Sequence, residues 1–264
     1  MAVTFLSTYP TNTTVGQTVG CSGTLANGGT CTITITPGST PNTTSTSTPA
    51  PTLFLVNGSN TNIIAAGFEV LTYGNLYEDA NIYSVDDTVN LTTPNGSIGG
   101  AGLFTSTNYP SFNWSNTNDL IPGIQFGTTS TCDPTQLTNT DGQCNTGIIN
   151  AYYSSASQNY AAGYCKALGA GGYDDWYLPA ICEIGYGTIV PSTVNCGTQS
   201  NPTAQNIWSN LYPSFPDFNG LSLWSSTEVD TNTAMYGIIN QTLYINEKVD
   251  GIRVGCARQF TNPT

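Results

Sequence analysis

The sequence predicts a sheet-rich chain of two domains: a small β-sandwich over residues 1–71, followed by a larger α+β domain over residues 72–264. Three observations carry this reading. Up to about residue 71 the chain breaks into short apolar runs separated by Gly, Pro and Asn turn signals. Residues 145–168 then hold the first convincing helical spacing of apolar side chains, and residues 221–260 return to runs of strand type. Hydrophobic residues make up 38% of the 264, enough to build real cores.

In the first domain, Cys31-Thr32-Ile33-Thr34-Ile35-Thr36 alternates strictly and stops at Pro37-Gly38. Residues 52–56 form a second apolar run ending at Asn57-Gly58, and residues 63–70 supply a third. With so few strands the sandwich is a minimal immunoglobulin-like one. Cys21 and Cys31 flank Asn27-Gly28-Gly29, so a disulfide clamping a hairpin is the simple expectation.

The second domain opens with short strands and turns through residues 75–127. Cys132 and Cys144 bracket Asp133-Pro134 and Asp141-Gly142, a polar loop stapled to itself. The helical spacing of residues 145–168 comes in two bursts and ends at Gly169, a natural C-terminal cap. Residues 180–190 read as a second, shorter helix. A strand at residues 221–228 and runs at 234–239, 242–245 and 252–260 predict a closing antiparallel meander.

Charge narrows the partners. Charged residues are only 8%, the net charge is −12, and the four cations are Lys166, Lys248, Arg253 and Arg258. Such a chain neutralises few phosphates, so nucleic acid is not an expected partner, and polyanions are disfavoured in general. A local pocket around Arg253 and Arg258 is the exception, able to hold one acidic group. Eight cysteines with no histidine and no C-x-x-C pair argue for disulfides rather than a metal centre, hence for an oxidising compartment. No run is long and apolar enough to insert in a membrane, and no cofactor is expected. Residues 1–5 lack the charged start of a signal peptide, so an exported chain would already have lost its leader.

The densest motif is Gly171-Gly172-Tyr173-Asp174-Asp175-Trp176-Tyr177-Leu178-Pro179-Ala180-Ile181-Cys182-Glu183-Ile184. Pro179 suits a helix start, and Glu183 stands three residues after Ala180, as in one half of a capping box whose hydroxyl half is missing. Asp174-Asp175 with Glu183 or Glu228 is the one dense acidic set near aromatics, compatible with a glycosidase or a calcium site. The structural reading is stronger: Trp176 fills the core, an Asp caps backbone amides, and Arg253 or Arg258 pairs with a carboxylate.

Taken in order, Tyr160-Ala161-Ala162-Gly163-Tyr164-Cys165, Gly172 to Pro179, Glu183-Ile184, Trp224-Ser225-Ser226-Thr227-Glu228 and Arg253-Val254-Gly255-Cys256-Ala257-Arg258 resemble one family. It is the C-terminal domain family of the Legionella collagen-like adhesin, and the likeness covers roughly residues 72–264. The resemblance implies a C-type-lectin-like fold shared with formylglycine-generating enzymes, in which Trp176, Pro179, Glu183 and Trp224 are structural. No collagen-like repeat precedes the domain here, and Ala180 replaces the usual hydroxyl cap. The resemblance also implies a Cys165–Cys256 bridge from first helix to last strand. Cys182 and Cys196 either close their own loop or, as in the enzymes, act as reactive thiols. Eight cysteines leave other connectivities open.

The function expected from this reading is recognition rather than catalysis: a secreted or cell-surface bacterial protein that binds a glycan or protein on a host or neighbouring cell. Lectin-like folds place ligand loops late in the chain, here residues 230–246, rich in Asn, Tyr, Thr and Asp. Asp230, Asn232, Tyr236, Asn240, Tyr244 and Asn246 are the expected ligand-binding residues. Variable proteins of diversity-generating retroelements resemble the same domain, and five of these six, Asp230 excepted, would then be variable positions. A subunit of a surface filament or layer, assembling as a homo-oligomer, is a further alternative. A formylglycine-generating type of enzyme is the least favoured one.

Overall fold

A computed structural model of the chain describes residues 14–17, 33–36, 54–55, 65–66, 73–74, 76–77, 80–85, 101–105, 109–153, 159–190 and 195–259. The chain divides into two compact units, Met1–Asn75 and Leu76–Thr264. In the first unit β1 (Thr14–Gln17) pairs antiparallel with β2 (Ile33–Thr36), and β3 (Phe54–Leu55) with β4 (Ala65–Ala66). Three of these strands fall inside the predicted runs. The sequence Thr-Val-Gly-Gln of β1 has too little alternation to be found. Cys21, Cys31 and the packing of a sandwich lie outside the described residues.

The second unit begins with β5 (Leu76–Tyr77), β6 (Ala80–Val85), β7 (Ala101–Thr105) and β8 (Ser111–Phe112). Helices α1 (Gly142–Tyr153), α2 (Ala161–Ala167) and α3 (Ile181–Ile184) follow. Next come β9 (Ile189–Val190), the small hairpin β10 (Gly197–Thr198) and β11 (Asn201–Pro202), and α4 (Ile207–Leu211). The unit closes with β12 (Ser222–Glu228), β13 (Thr233–Ile238), β14 (Thr242–Glu247), β15 (Ile252–Arg253) and β16 (Ala257–Gln259).

These strands form two main sheets. One is six-stranded and mixed, in the order β8-β15-β12-β13-β14-β9; the other is four-stranded and antiparallel, in the order β16-β7-β6-β5. The architecture is α+β and sheet-rich.

The closing segment departs from a meander. β12, β13 and β14 are antiparallel neighbours, but β15 returns parallel to β12. The chain then crosses to the other sheet, where β16 pairs with β7. Val254, Gly255 and Cys256 make the crossing fully buried. Gly255 is required there because a Cβ would run into the Phe104 ring. Alternation alone cannot distinguish a third meander strand from a strand that changes sheet.

The helical stretch is likewise two helices. α1 starts where Asp141 Oδ1 accepts the Cys144 N–H at 3.1 Å, an N-cap. Ser154, Ser155, Ser157 and Asn159 lie between α1 and α2, residues whose side chains compete for backbone hydrogen bonds. The expected Gly169 cap is not used: the chain leaves α2 through Leu168 in an extended conformation. Residues 180–190 hold one turn of helix, α3, and then β9.

Three disulfides join Cys132 to Cys144, Cys165 to Cys256 and Cys182 to Cys196, and no described cysteine is free. Cys165–Cys256 spans 91 residues and ties α2 to the buried crossing. Together they indicate an oxidising environment. Among the described residues no helix is long and apolar enough to cross a membrane.

Two buried clusters pack on one face of the six-stranded sheet. Leu223, Ile239, Tyr83, Phe104, Tyr177, Ile184, Ile207, Leu211 and Phe218 form one buried cluster; Met235, Leu243, Ile181, Ile189 and the Cys182–Cys196 bridge form a second. Residues of β13 and β14 that alternate with Met235 and Leu243 therefore face the other way.

Candidate functional site

The motif around Trp176 is a structural keystone. Trp176 is 1% exposed and donates its Nε1–H to the Ala170 carbonyl at 3.2 Å. The Tyr177 backbone exchanges hydrogen bonds with Ala257 of β16, at 2.7 and 2.8 Å, so the turn after α2 is stitched to the closing strand. Glu183 is wholly buried, and its Oε2 accepts two helix-start amides: Ala180 N at 2.7 Å and Gly142 N at 3.1 Å. Its Oε1 accepts the Tyr177 and Tyr83 phenols at 3.1 and 3.2 Å. One carboxylate thus caps α3 and α1 together, and position 142 must be glycine because a Cβ would collide with Oε2 and the Ala180 amide.

Burial pushes the Glu183 carboxyl up to about 8, against the pull of the Ala180 amide, and Asp141 nearby adds to the rise. The first amide of α3 is satisfied from β12 instead: Ile181 N donates to Thr227 Oγ1 at 3.1 Å.

Every side chain of Trp224-Ser225-Ser226-Thr227-Glu228 is engaged in this way. Trp224 Nε1 donates to the Phe112 carbonyl at 2.9 Å, Ser225 Oγ to the Met235 carbonyl at 2.8 Å, and Asn145 Nδ2 to Ser226 Oγ at 3.3 Å. Glu228 forms a buried ion pair with Lys248 and accepts from Ile121 N and Gln125. Burial pushes its carboxyl up, while Lys248, Gln125 and the Ile121 amide pull it back. Lys248 also donates to the Asp119 and Thr231 carbonyls and lies 4.9 Å over the Trp114 ring.

Of the Asp174-Asp175 pair, Asp174 is exposed, and Asp175 lies 3.8 Å from Arg258. Arg258 is 1% exposed, with its guanidinium 3.5 Å over Tyr173. It therefore belongs to the interior and does not share a ligand pocket with Arg253, as the sequence suggested. No cluster of three or more metal-ligating side chains occurs among the described residues. The four carboxylates do not assemble into a catalytic pair: Glu183 and Glu228 are each sealed into separate hydrogen-bond sets.

The surface that remains is the far side of the six-stranded sheet. Register places Trp224, Tyr236 and Tyr244 side by side across β12, β13 and β14, and Ser222, Ile238 and Thr242 in the next row. Trp224 is the buried floor, with Tyr236 edge-on at 6.0 Å; Tyr236 and Tyr244 stack at 5.5 Å and 23°. Both tyrosines are half-buried, and neither phenol has a hydrogen-bond partner among the described residues. Burial raises the Tyr236 phenol, and Tyr244 adds to it; a tyrosine hydroxyl can act as both donor and acceptor. Their ring faces are turned toward one another. What the surface offers is two ring edges, two hydroxyls and the half-buried Asn246, Thr242 and Ser222.

The six residues predicted as ligand-binding do not form one cluster, because residues 230–246 are largely a hairpin rather than a loop. Tyr236, Tyr244 and Asn246 share the open face. Asp230 and Asn232 lie at one end. Asp230 Oδ1 accepts Asn232 N and Thr233 N at 2.8 Å, and the Asn232 carbonyl accepts Lys248 N, so both build the turn. Asn240 lies at the opposite end with a left-handed φ of 63°, and donates to Tyr212 Oη and Asn219 Oδ1. Ser222 and Thr242 were missed; the alternation Thr242, Tyr244, Asn246 was the signal that would have found Thr242. No family model, curated protein or solved structure matches the chain.

Proposed function

We propose that this protein is a secreted or cell-surface recognition module, and that the open sheet face around Tyr236 and Tyr244 is its ligand surface. The observation that carries the reading is the pair of half-exposed phenols with no hydrogen-bond partner among the described residues, standing on the buried Trp224. A surface of ring edges and uncharged hydrogen-bonding groups suits a hydroxyl-rich, neutral ligand, and a glycan is the best match. The net charge of −12 works against polyanionic ligands.

Two further features support recognition over catalysis. Glu183 and Glu228 are consumed by structural contacts, and Cys182 and Cys196, both fully buried, are bonded to each other. A C-type-lectin-like architecture is part of the proposal. Helices packed with a mixed sheet, and a disulfide from a helix to the end of the chain, support it.

A binding screen of the whole chain against neutral glycans and surface proteins tests the proposal. Tyr236→Ala and Tyr244→Ala, each still folded, should weaken the selected ligand about tenfold or more, a loss of ~1.4 kcal/mol. If a protein is selected in place of a glycan, the face stands but the ligand class is wrong. Unchanged binding by both variants would remove the face from consideration.

A further inference from the structure

We infer that Arg253 anchors a second binding pocket, on the core side of the six-stranded sheet, that takes the carboxylate of an acidic sugar. The inference starts from the fate of the four cations. Lys248 and Arg258 are buried against Glu228 and Asp175, and exposed Lys166 donates to the Asp174 carbonyl at 3.3 Å. Arg253 is exposed and has neither an ion pair nor a hydrogen bond to its side chain among the described residues.

Its backbone is nevertheless fixed, paired with Ser111 on one side and Leu223 on the other. The side chain borders a cavity of about 470 Å³ lined by Tyr109, Asp217, Asn219, Gly220 and Leu221. Because Arg253 is in register with Leu223 rather than Trp224, the pocket opens on the face opposite Tyr236.

The lining has a specific chemistry. A guanidinium is a planar fork of donors that matches a carboxylate. Asn219 Oδ1 is occupied by the Asn240 amide at 3.2 Å, which leaves the Asn219 Nδ2 as a second donor. Asp217, exposed and making no ion pair with Arg253, is an acceptor suited to ligand hydroxyls. It also repels a bare anion. A ligand that bridges the two needs one carboxylate and neighbouring hydroxyls, as in a uronic or other acidic sugar. A monoanion is also the form that loses least against a chain this negative.

Titration of the full chain with sodium glucuronate, sodium acetate and glucose, followed by amide-resolved NMR, tests the pocket. Glucuronate should bind more tightly than either of the others, with shifts centred on Arg253, Asp217 and Asn219. Arg253→Gln should weaken glucuronate about tenfold or more, the loss of a charge-assisted pair. Asp217→Ala should narrow the preference for glucuronate over acetate, by losing the hydroxyl acceptor and the repulsion together. Lys166→Gln, which removes the other exposed cation, should leave the glucuronate titration unchanged, which separates this pocket from a general charge effect. Glucuronate binding no tighter than glucose, or unaffected by Arg253→Gln, would overturn the inference. A loss in Lys166→Gln equal to that in Arg253→Gln would do the same.

Discussion

Replacing Glu183 probes the joint between α1, α3 and the two phenols. Glu183→Ala removes the acceptor for Ala180 N and Gly142 N, two buried amides. Each stranded donor costs ~1–3 kcal/mol, so ~2–6 kcal/mol is expected, with the side-chain cavity in addition. The phenols lose less, because Tyr83 and Tyr177 are 3.1 Å apart and can bond each other. Glu183→Gln keeps an oxygen for both amides and puts an NH₂ toward the phenols, so its loss should stay below ~2 kcal/mol.

The same residue sets a pH dependence. Its folded carboxyl is raised from 4.5 to about 8, so between those limits the folded state holds a proton that the unfolded chain has released. Stability therefore falls as pH rises from about 4.5 through 8, by on the order of 5 kcal/mol at the upper end. Urea unfolding of the oxidised protein, followed by tryptophan fluorescence from pH 4.5 to 9, reads both effects. Glu183→Gln should flatten this contribution to the slope. A wild-type slope that survives the substitution intact, or a Glu183→Ala variant as stable as Glu183→Gln, would refute the reasoning.

Other perturbations follow from the same contacts. Trp176→Ala should cost ~3–5 kcal/mol, measured by urea midpoint, since the ring is buried against Arg258; an unchanged midpoint would contradict its place in the core. Selective loss of the Cys165–Cys256 bridge, as in a Cys165→Ala, Cys256→Ala double variant, should cost ~2–5 kcal/mol. Peptide mapping that found Cys165 as a free thiol in the native protein would contradict the pairing. Gly142→Ala should destabilise by displacing the Glu183 carboxylate, although alanine is the better helix former; a gain in melting temperature would show the contact is not there.

The sequence made the parts legible where one local rule sufficed. Glu183 three residues after Ala180 announced a cap, and the strand-type runs at 234–239 and 242–245 announced β13 and β14. It did not reveal that Glu183 reaches a second helix at Gly142, or that Thr227 Oγ1 takes the Ile181 amide, because both partners are distant in sequence. The turn roles of Asp230 and Asn240 were hidden for a different reason: Asn and Asp serve turns and ligands with the same side-chain groups. Tyr236 and Tyr244 were nominated from composition, but their stacking on a buried Trp224 depends on strand register, which fixes which side chains share a face.

The central claim is that the Tyr236–Tyr244 face is a recognition surface and not a piece of the core. The most direct measurement pairs melting temperature with ligand affinity for Tyr236→Ala and Tyr244→Ala in the whole chain. Cross-strand aromatic pairs at a half-exposed position contribute ~0.2–1 kcal/mol, so each variant should melt within about 3 °C of wild type. At least one should bind about tenfold more weakly. Variants that melt far lower with little separate effect on binding, or that melt and bind as wild type does, would contradict the account.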